Sequence, residues 1–84
     1  MKLNYDEIEN ELIKILKKHF KYCNLENLNK DSRFTEDIGF DSLDTVEFIL
    51  KIEEKFNVQI DDEYVDKNIR KLKDAVKYLY MLGV

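Results

Sequence analysis

Residues 37–44 read Asp37-Ile38-Gly39-Phe40-Asp41-Ser42-Leu43-Asp44 and lead into an amphipathic pattern that extends to Phe56. Asp41 is a suitable N-cap, and Asp44 adds a carboxylate in the first turn, where the helix dipole favours negative charge. We therefore predict a helix that begins at Asp41 or Ser42. Ser42 then presents a hydroxyl at the start of that helix, with no base close in sequence to activate it. Such a hydroxyl is better suited to being modified by another enzyme than to serving as a catalytic nucleophile of this chain.

The predicted helix carries apolar residues on two separate faces, since successive residues are turned by about 100°. The first stripe, which we expect to face the core, comprises Phe48, Ile49, Ile52 and Phe56. The second stripe comprises Leu43, Val46 and Leu50. A helix in a small bundle needs one apolar face, so the second stripe predicts either a binding surface rimmed by charge or burial on both sides.

The remainder of the chain also predicts helices. Apolar residues recur at three- and four-residue steps from about Tyr5 to Tyr22, and again from about Ile69 to Leu82. Residues 24–35 lack this rhythm and are predicted to form a long loop, and a short helix is expected from Asp61 or Asp62 to Asp66. We predict an all-α fold: a small four-helix bundle with three long helices, one short helix and a long loop after the first.

Length and composition indicate a single domain that spans residues 1–84. The chain is 44% hydrophobic and 38% charged, which is typical of a folded globular domain. Its one cysteine, Cys23, has no partner for an internal disulfide, so we expect a reducing, cytoplasmic setting. No apolar run approaches the roughly 20 residues of a membrane span, and no membrane span is expected.

The net charge of −4 is unevenly distributed along the chain. Residues 36–66 carry eleven acidic and two basic side chains, whereas residues 67–84 carry five basic and one acidic. A strongly negative central segment disfavours binding to nucleic acid and favours a basic protein partner. The simpler alternative is that these acids only solvate the helices.

An extended motif surrounds Ser42 and reads Glu36-Asp37-Ile38-Gly39-Phe40-Asp41-Ser42-Leu43-Asp44-Thr45-Val46-Glu47, followed by Glu53-Glu54-Lys55-Phe56. The chain resembles an acyl carrier protein over nearly its whole length. Asp-Ser-Leu alone is a weak signal, but the full motif with Glu-Glu-x-Phe at this distance is a strong one. The resemblance implies that 4′-phosphopantetheine from coenzyme A is esterified to Ser42 and carries acyl groups as thioesters. It also implies a carrier rather than an enzyme.

The same resemblance implies a partner-recognition surface on the Ser42 helix and a sheltered cavity for the acyl chain. The recognition residues are expected to be Asp41, Leu43, Asp44, Val46, Glu47, Leu50, Glu53 and Glu54. The cavity is expected to be lined by Phe34, Ile49, Ile52, Ile69 and Ala75. Implied partners are a phosphopantetheinyl transferase and acyltransferase, ketosynthase, reductase and dehydratase enzymes, each docking transiently on a monomeric carrier.

Fatty acid biosynthesis is the expected pathway. The basic last helix and the Gly-Phe-Asp-Ser-Leu spelling leave an alternative, a specialised freestanding carrier for polyketide, amino-acid or other secondary-metabolite groups. A pure adaptor with an unmodified Ser42 is a rival from another class. The single histidine, His19, makes a hydrolase a poor alternative, and we expect no metal site.

Overall fold

The computed structural model describes residues 2–84 and confirms the prediction of a small all-α bundle. Within these residues the helices are α1 (Tyr5–His19), α2 (Ser42–Phe56), α3 (Asp62–Asn68) and α4 (Leu72–Met81). The long connection between α1 and α2 contains one π-helical turn, Phe34–Ile38. Helix α1 packs against both α2 and α4.

Helix α1 begins with a capping box, in which the Asn4 side chain accepts from the Glu7 N–H and the Glu7 side chain accepts from the Asn4 N–H. It ends at His19, three residues before the predicted Tyr22. Phe20 leaves the helix with its side chain fully buried, while His19 is exposed. Burial of the Phe20 ring in the core therefore ends the helix before Tyr22.

The long loop is fixed to the start of α4 by backbone hydrogen bonds. The Phe34 N–H donates to the Arg70 carbonyl, and the Leu72 N–H donates to the Ser32 carbonyl, both at 2.9 Å. Arg33 and Lys71 thereby form an isolated antiparallel bridge. Because this pairing holds Lys71 in an extended conformation, α4 begins at Leu72 rather than at the predicted Ile69.

The loop returns to α2 through Gly39, which has a φ of 91°. This left-handed conformation is accessible to glycine at little cost and closes the π-helical turn, where the Phe40 N–H donates to the Phe34 carbonyl at 2.8 Å. The Phe40 ring is thereby turned into the core, against the rings of Phe20 and Phe48. The turn thus anchors the segment that leads directly to Ser42.

Helix α3 is the least buried helix, since none of its residues is fully buried. Its packing relies on Tyr64, whose ring stacks on Tyr78 of α4 with centroids 4.6 Å apart. The Tyr78 hydroxyl also accepts from the Asp61 N–H at 3.2 Å, next to the start of α3. Val65 adds a partly buried apolar contact with the core.

Candidate functional site

Ser42 is the first residue of α2 and is exposed. The helix start is fixed by a reciprocal capping box: Asp41 accepts from the Asp44 N–H at 2.9 Å, and Asp44 accepts from the Asp41 N–H at 3.0 Å. Because these two carboxylates cap the helix, the Ser42 hydroxyl is not needed as a cap. Backbone N–H groups of a first turn lack intrahelical acceptors and lie at the positive dipole end. A phosphate ester on Ser42 is therefore compatible with this position.

Tyr22 ties the end of α1 to the start of α2. Its hydroxyl donates to Asp44 Oδ1, across 22 positions of sequence. This hydrogen bond is the main reason that the pKa of Tyr22 is raised to about 12. It also lowers the pKa of Asp44 below its usual range, together with the Asp41 backbone N–H. Sequence reasoning missed Tyr22, since no periodicity connects a residue beyond α1 to the first turn of α2.

The two apolar stripes of α2 differ in exposure as expected. Phe48 and Ile52 are buried, and Ile49 and Phe56 are partly buried against the core. The second stripe is exposed, with accessible fractions of 78% for Leu43, 57% for Val46 and 53% for Leu50. The structure therefore excludes burial of this helix on two sides within the described chain, residues 2–84. A docking role for the exposed stripe stays a prediction.

The acidic residues of the predicted recognition surface occupy different environments. Glu47 and Glu54 are exposed on α2. Glu53 is half-buried, and its carboxylate accepts from the Ile60 N–H at 2.9 Å. This hydrogen bond fixes Ile60, in the connection between α2 and α3, to the side of α2, so Glu53 has a structural role.

A cavity of about 500 Å³ opens between α2, α3 and α4. The predicted cavity residues Phe34, Ile49, Ile52, Ile69 and Ala75 all line it. Ser42 and Thr45 line the same cavity, so a group attached to Ser42 would begin at its edge. Further lining residues not predicted from sequence include Ile60, Val65, Tyr78 and Leu79. Of these, Val65 belongs to α3, and the sequence pattern does not specify where that short helix packs.

Other candidate groups do not form a second site in the described part of the chain. No cluster of His, Cys, Asp and Glu side chains within residues 2–84 could hold a metal ion. Cys23 is partly buried, and burial, followed by the charges of Asp44 and Asp41, raises the pKa of its thiol. None of the described helices is both long enough and apolar enough to cross a membrane.

Comparison with known proteins assigns this architecture to a family. Residues 10–79 match the family model described as the phosphopantetheine attachment site. The chain is 42% identical to an acyl carrier protein of Rickettsia bellii over 88% of this chain and 84% of the relative. It is 39% identical to an acyl carrier protein of Wolinella succinogenes over 89% and 91% of the two chains. An acyl carrier protein of Chloroherpeton thalassium is 50% identical over 64% of this chain and 66% of its own.

Proposed function

This chain belongs to the acyl carrier protein family, a family of phosphopantetheine-bearing carriers rather than enzymes, and on that premise we propose that Ser42 is its attachment residue. The observation that carries the proposal is the exposed Ser42 hydroxyl at the start of α2, beside a capping box that does not use it. In the attachment step the Ser42 oxygen attacks the pyrophosphate of coenzyme A. A phosphodiester forms, the hydroxyl proton is lost, and the adenosine bisphosphate leaves.

We further propose that the cargo is a hydrocarbon acyl chain of fatty acid biosynthesis. The cavity that begins at Ser42 is lined mainly by aliphatic and aromatic side chains. Transfer of an apolar chain from water into such a space is favourable by about 0.8 kcal/mol for each buried methylene. Transfer of a charged aminoacyl group into the same space is unfavourable, because the charge loses its hydration. This difference favours a fatty acyl cargo over an amino-acid cargo.

Loading the carrier with chains of different length tests the cargo proposal. A phosphopantetheinyl transferase supplied with octanoyl-coenzyme A or acetyl-coenzyme A would produce two acylated forms of the same chain. We expect the octanoyl form to unfold at a higher urea concentration than the acetyl form, because the longer chain buries apolar surface in the native state only. Equal urea midpoints for the two forms would contradict storage of the chain in the cavity.

We propose that the transferase, acyltransferase, ketosynthase, reductase and dehydratase partners dock on the exposed face of α2, in the cytoplasm. Support comes from the exposed stripe of Leu43, Val46 and Leu50 beside the carboxylate of Glu47. Acidic groups around a small apolar strip speed encounter with a basic enzyme while keeping the complex short-lived. A carrier that visits several enzymes in turn requires this behaviour.

Charge reversal on this face provides a direct test of the docking proposal. Glu47→Lys should slow association with a basic partner enzyme, and the difference from the parent should shrink as salt is added. Glu26→Lys is a matched control, because it makes the same charge change at an exposed residue of the long loop. Stopped-flow association rates at several salt concentrations measure the effect. Equal slowing by both variants would contradict docking on this face, because the association rate would then depend only on the net charge of the chain.

A further inference from the structure

Tyr22 exposes an aromatic ring beside the predicted docking face. Tyr22 is 72% exposed although its hydroxyl is held by Asp44. An exposed tyrosine with a fixed hydroxyl loses little side-chain freedom when a partner covers its ring, because the ring is already oriented. Tyr22 therefore meets a requirement for an energetically important contact residue, a class in which tyrosine is enriched.

The ring lies next to the acidic edge of α2. Asp44, which holds the Tyr22 hydroxyl, and Glu47 are three residues apart and share one helix face. Glu47 is also close enough for its charge to contribute to the raised pKa of Tyr22. Leu43, four residues before Glu47 and 78% exposed, continues this surface towards the apolar stripe. Tyr22, Leu43, Asp44 and Glu47 together form a surface that we call the Tyr22 corner.

The two carboxylates of the Tyr22 corner differ in the hydrogen bonds and ion pairs that they make. Asp44 accepts the Tyr22 hydroxyl on one oxygen and the Asp41 N–H on the other. Glu47 is exposed, and the ion pairs seen within residues 2–84 engage other carboxylates, those of Glu11, Asp31, Glu36 and Asp37. A cation that approaches the corner would therefore meet the Glu47 carboxylate and the face of the Tyr22 ring.

We propose that the Tyr22 corner is part of the docking surface and that Tyr22 strengthens partner binding by stacking on an arginine of the partner enzyme, whose guanidinium pairs with Glu47. Arginine suits the position better than lysine, because its planar guanidinium stacks on an aromatic face while donating to a carboxylate. The proposal rests on the proposed function, since the partners are the enzymes that act on a Ser42-linked carrier. It extends the docking surface from α2 to the end of α1.

Kinetics of phosphopantetheine transfer test this role with three variants. The probe is a broad-specificity phosphopantetheinyl transferase with coenzyme A, assayed for KM and kcat with each carrier variant. Tyr22→Ala should raise KM about fivefold or more with little change in kcat, which is the effect expected for loss of one important contact. Tyr22→Phe keeps the ring but loses the hydrogen bond to Asp44 that orients it, so its KM should rise much less than that of Tyr22→Ala. Tyr5→Ala removes another exposed ring at the opposite end of α1 and should also stay close to the parent.

Arginine-to-lysine replacements on the transferase complete the test. One of them should reduce the difference between parent and Tyr22→Ala, which a double-mutant cycle would detect as coupling. An unchanged KM for Tyr22→Ala would overturn the proposal. So would equal losses for Tyr22→Phe and Tyr22→Ala, since the hydroxyl bond to Asp44 would then be the cause.

Other results distinguish a failure of this proposal from a failure of the proposed function. If the parent chain dimerises through the corner, with dimerisation lost in Tyr22→Ala, the occupant is a second copy and the proposal is wrong. If the parent is not modified at all, the assignment of Ser42 fails and the Tyr22 proposal fails with it. A modified parent with no response at Tyr22 would leave the proposed function standing and overturn this inference alone.

Discussion

Replacing Phe48 with alanine should lower the free energy of unfolding by about 3–5 kcal/mol, the usual cost of truncating a buried phenylalanine. Phe48 is 5% exposed, and its ring lies within a cluster of aromatic rings. The ring centroids of Phe20, Phe34 and Phe40 are 5.8, 5.5 and 5.4 Å from that of Phe48. Alanine would leave a cavity between these rings, in a domain whose total stability is expected to be only about 5–15 kcal/mol.

Leu43→Ala is the matched control, since it truncates an apolar residue on the opposite face of the same helix. Leu43 is 78% exposed, so little apolar surface returns to water and the change in stability should be within about 0.5 kcal/mol. Urea midpoints of the two variants, measured with the parent, provide the comparison. If Leu43→Ala unfolds as readily as Phe48→Ala, the second stripe is part of the core and the docking face is misassigned.

Helix α2 could be predicted closely because its signals are local. Asp41 caps the helix, Asp44 closes the capping box, and the apolar residues recur on the face that packs against the core. Asn57, with a φ of 54°, ends the helix in the left-handed conformation that asparagine tolerates. Each of these features depends on residues within one or two turns, so the sequence specifies them before any tertiary contact forms.

The ends of α1 and α4 could not be predicted, because tertiary contacts determine them. Helical periodicity continues to Tyr22, but burial of Phe20 in the core ends α1 first. Periodicity also begins before Leu72, but pairing of Arg33 with Lys71 keeps that segment extended. Both differences arise from contacts with residues distant in sequence, which a local pattern does not contain.

The candidate site likewise combines features that local sequence specifies with features that depend on long-range contacts. Ser42, its helix start and the exposed stripe follow from local pattern, and the predicted cavity residues do line one cavity. The hydrogen bonds from Tyr22 to Asp44 and from the Ile60 N–H to Glu53 are long-range and polar, so no periodicity reveals them. They show that some carboxylates of the acidic segment stabilise the fold through hydrogen bonds, in addition to contributing negative charge to the surface.

The most direct measurement is the intact mass of the chain after incubation with coenzyme A and a phosphopantetheinyl transferase. The parent should gain the mass of one phosphopantetheine, and Ser42→Ala should gain none, because only Ser42 joins an exposed hydroxyl to the start of α2. Ser32 is the other serine of the chain and is buried, so Ser32→Ala should still be modified. Loss of modification in Ser42→Ala but not in Ser32→Ala would agree with attachment at Ser42. An unmodified parent with several broad-specificity transferases, or a Ser42→Ala variant that still gains the group, would contradict it.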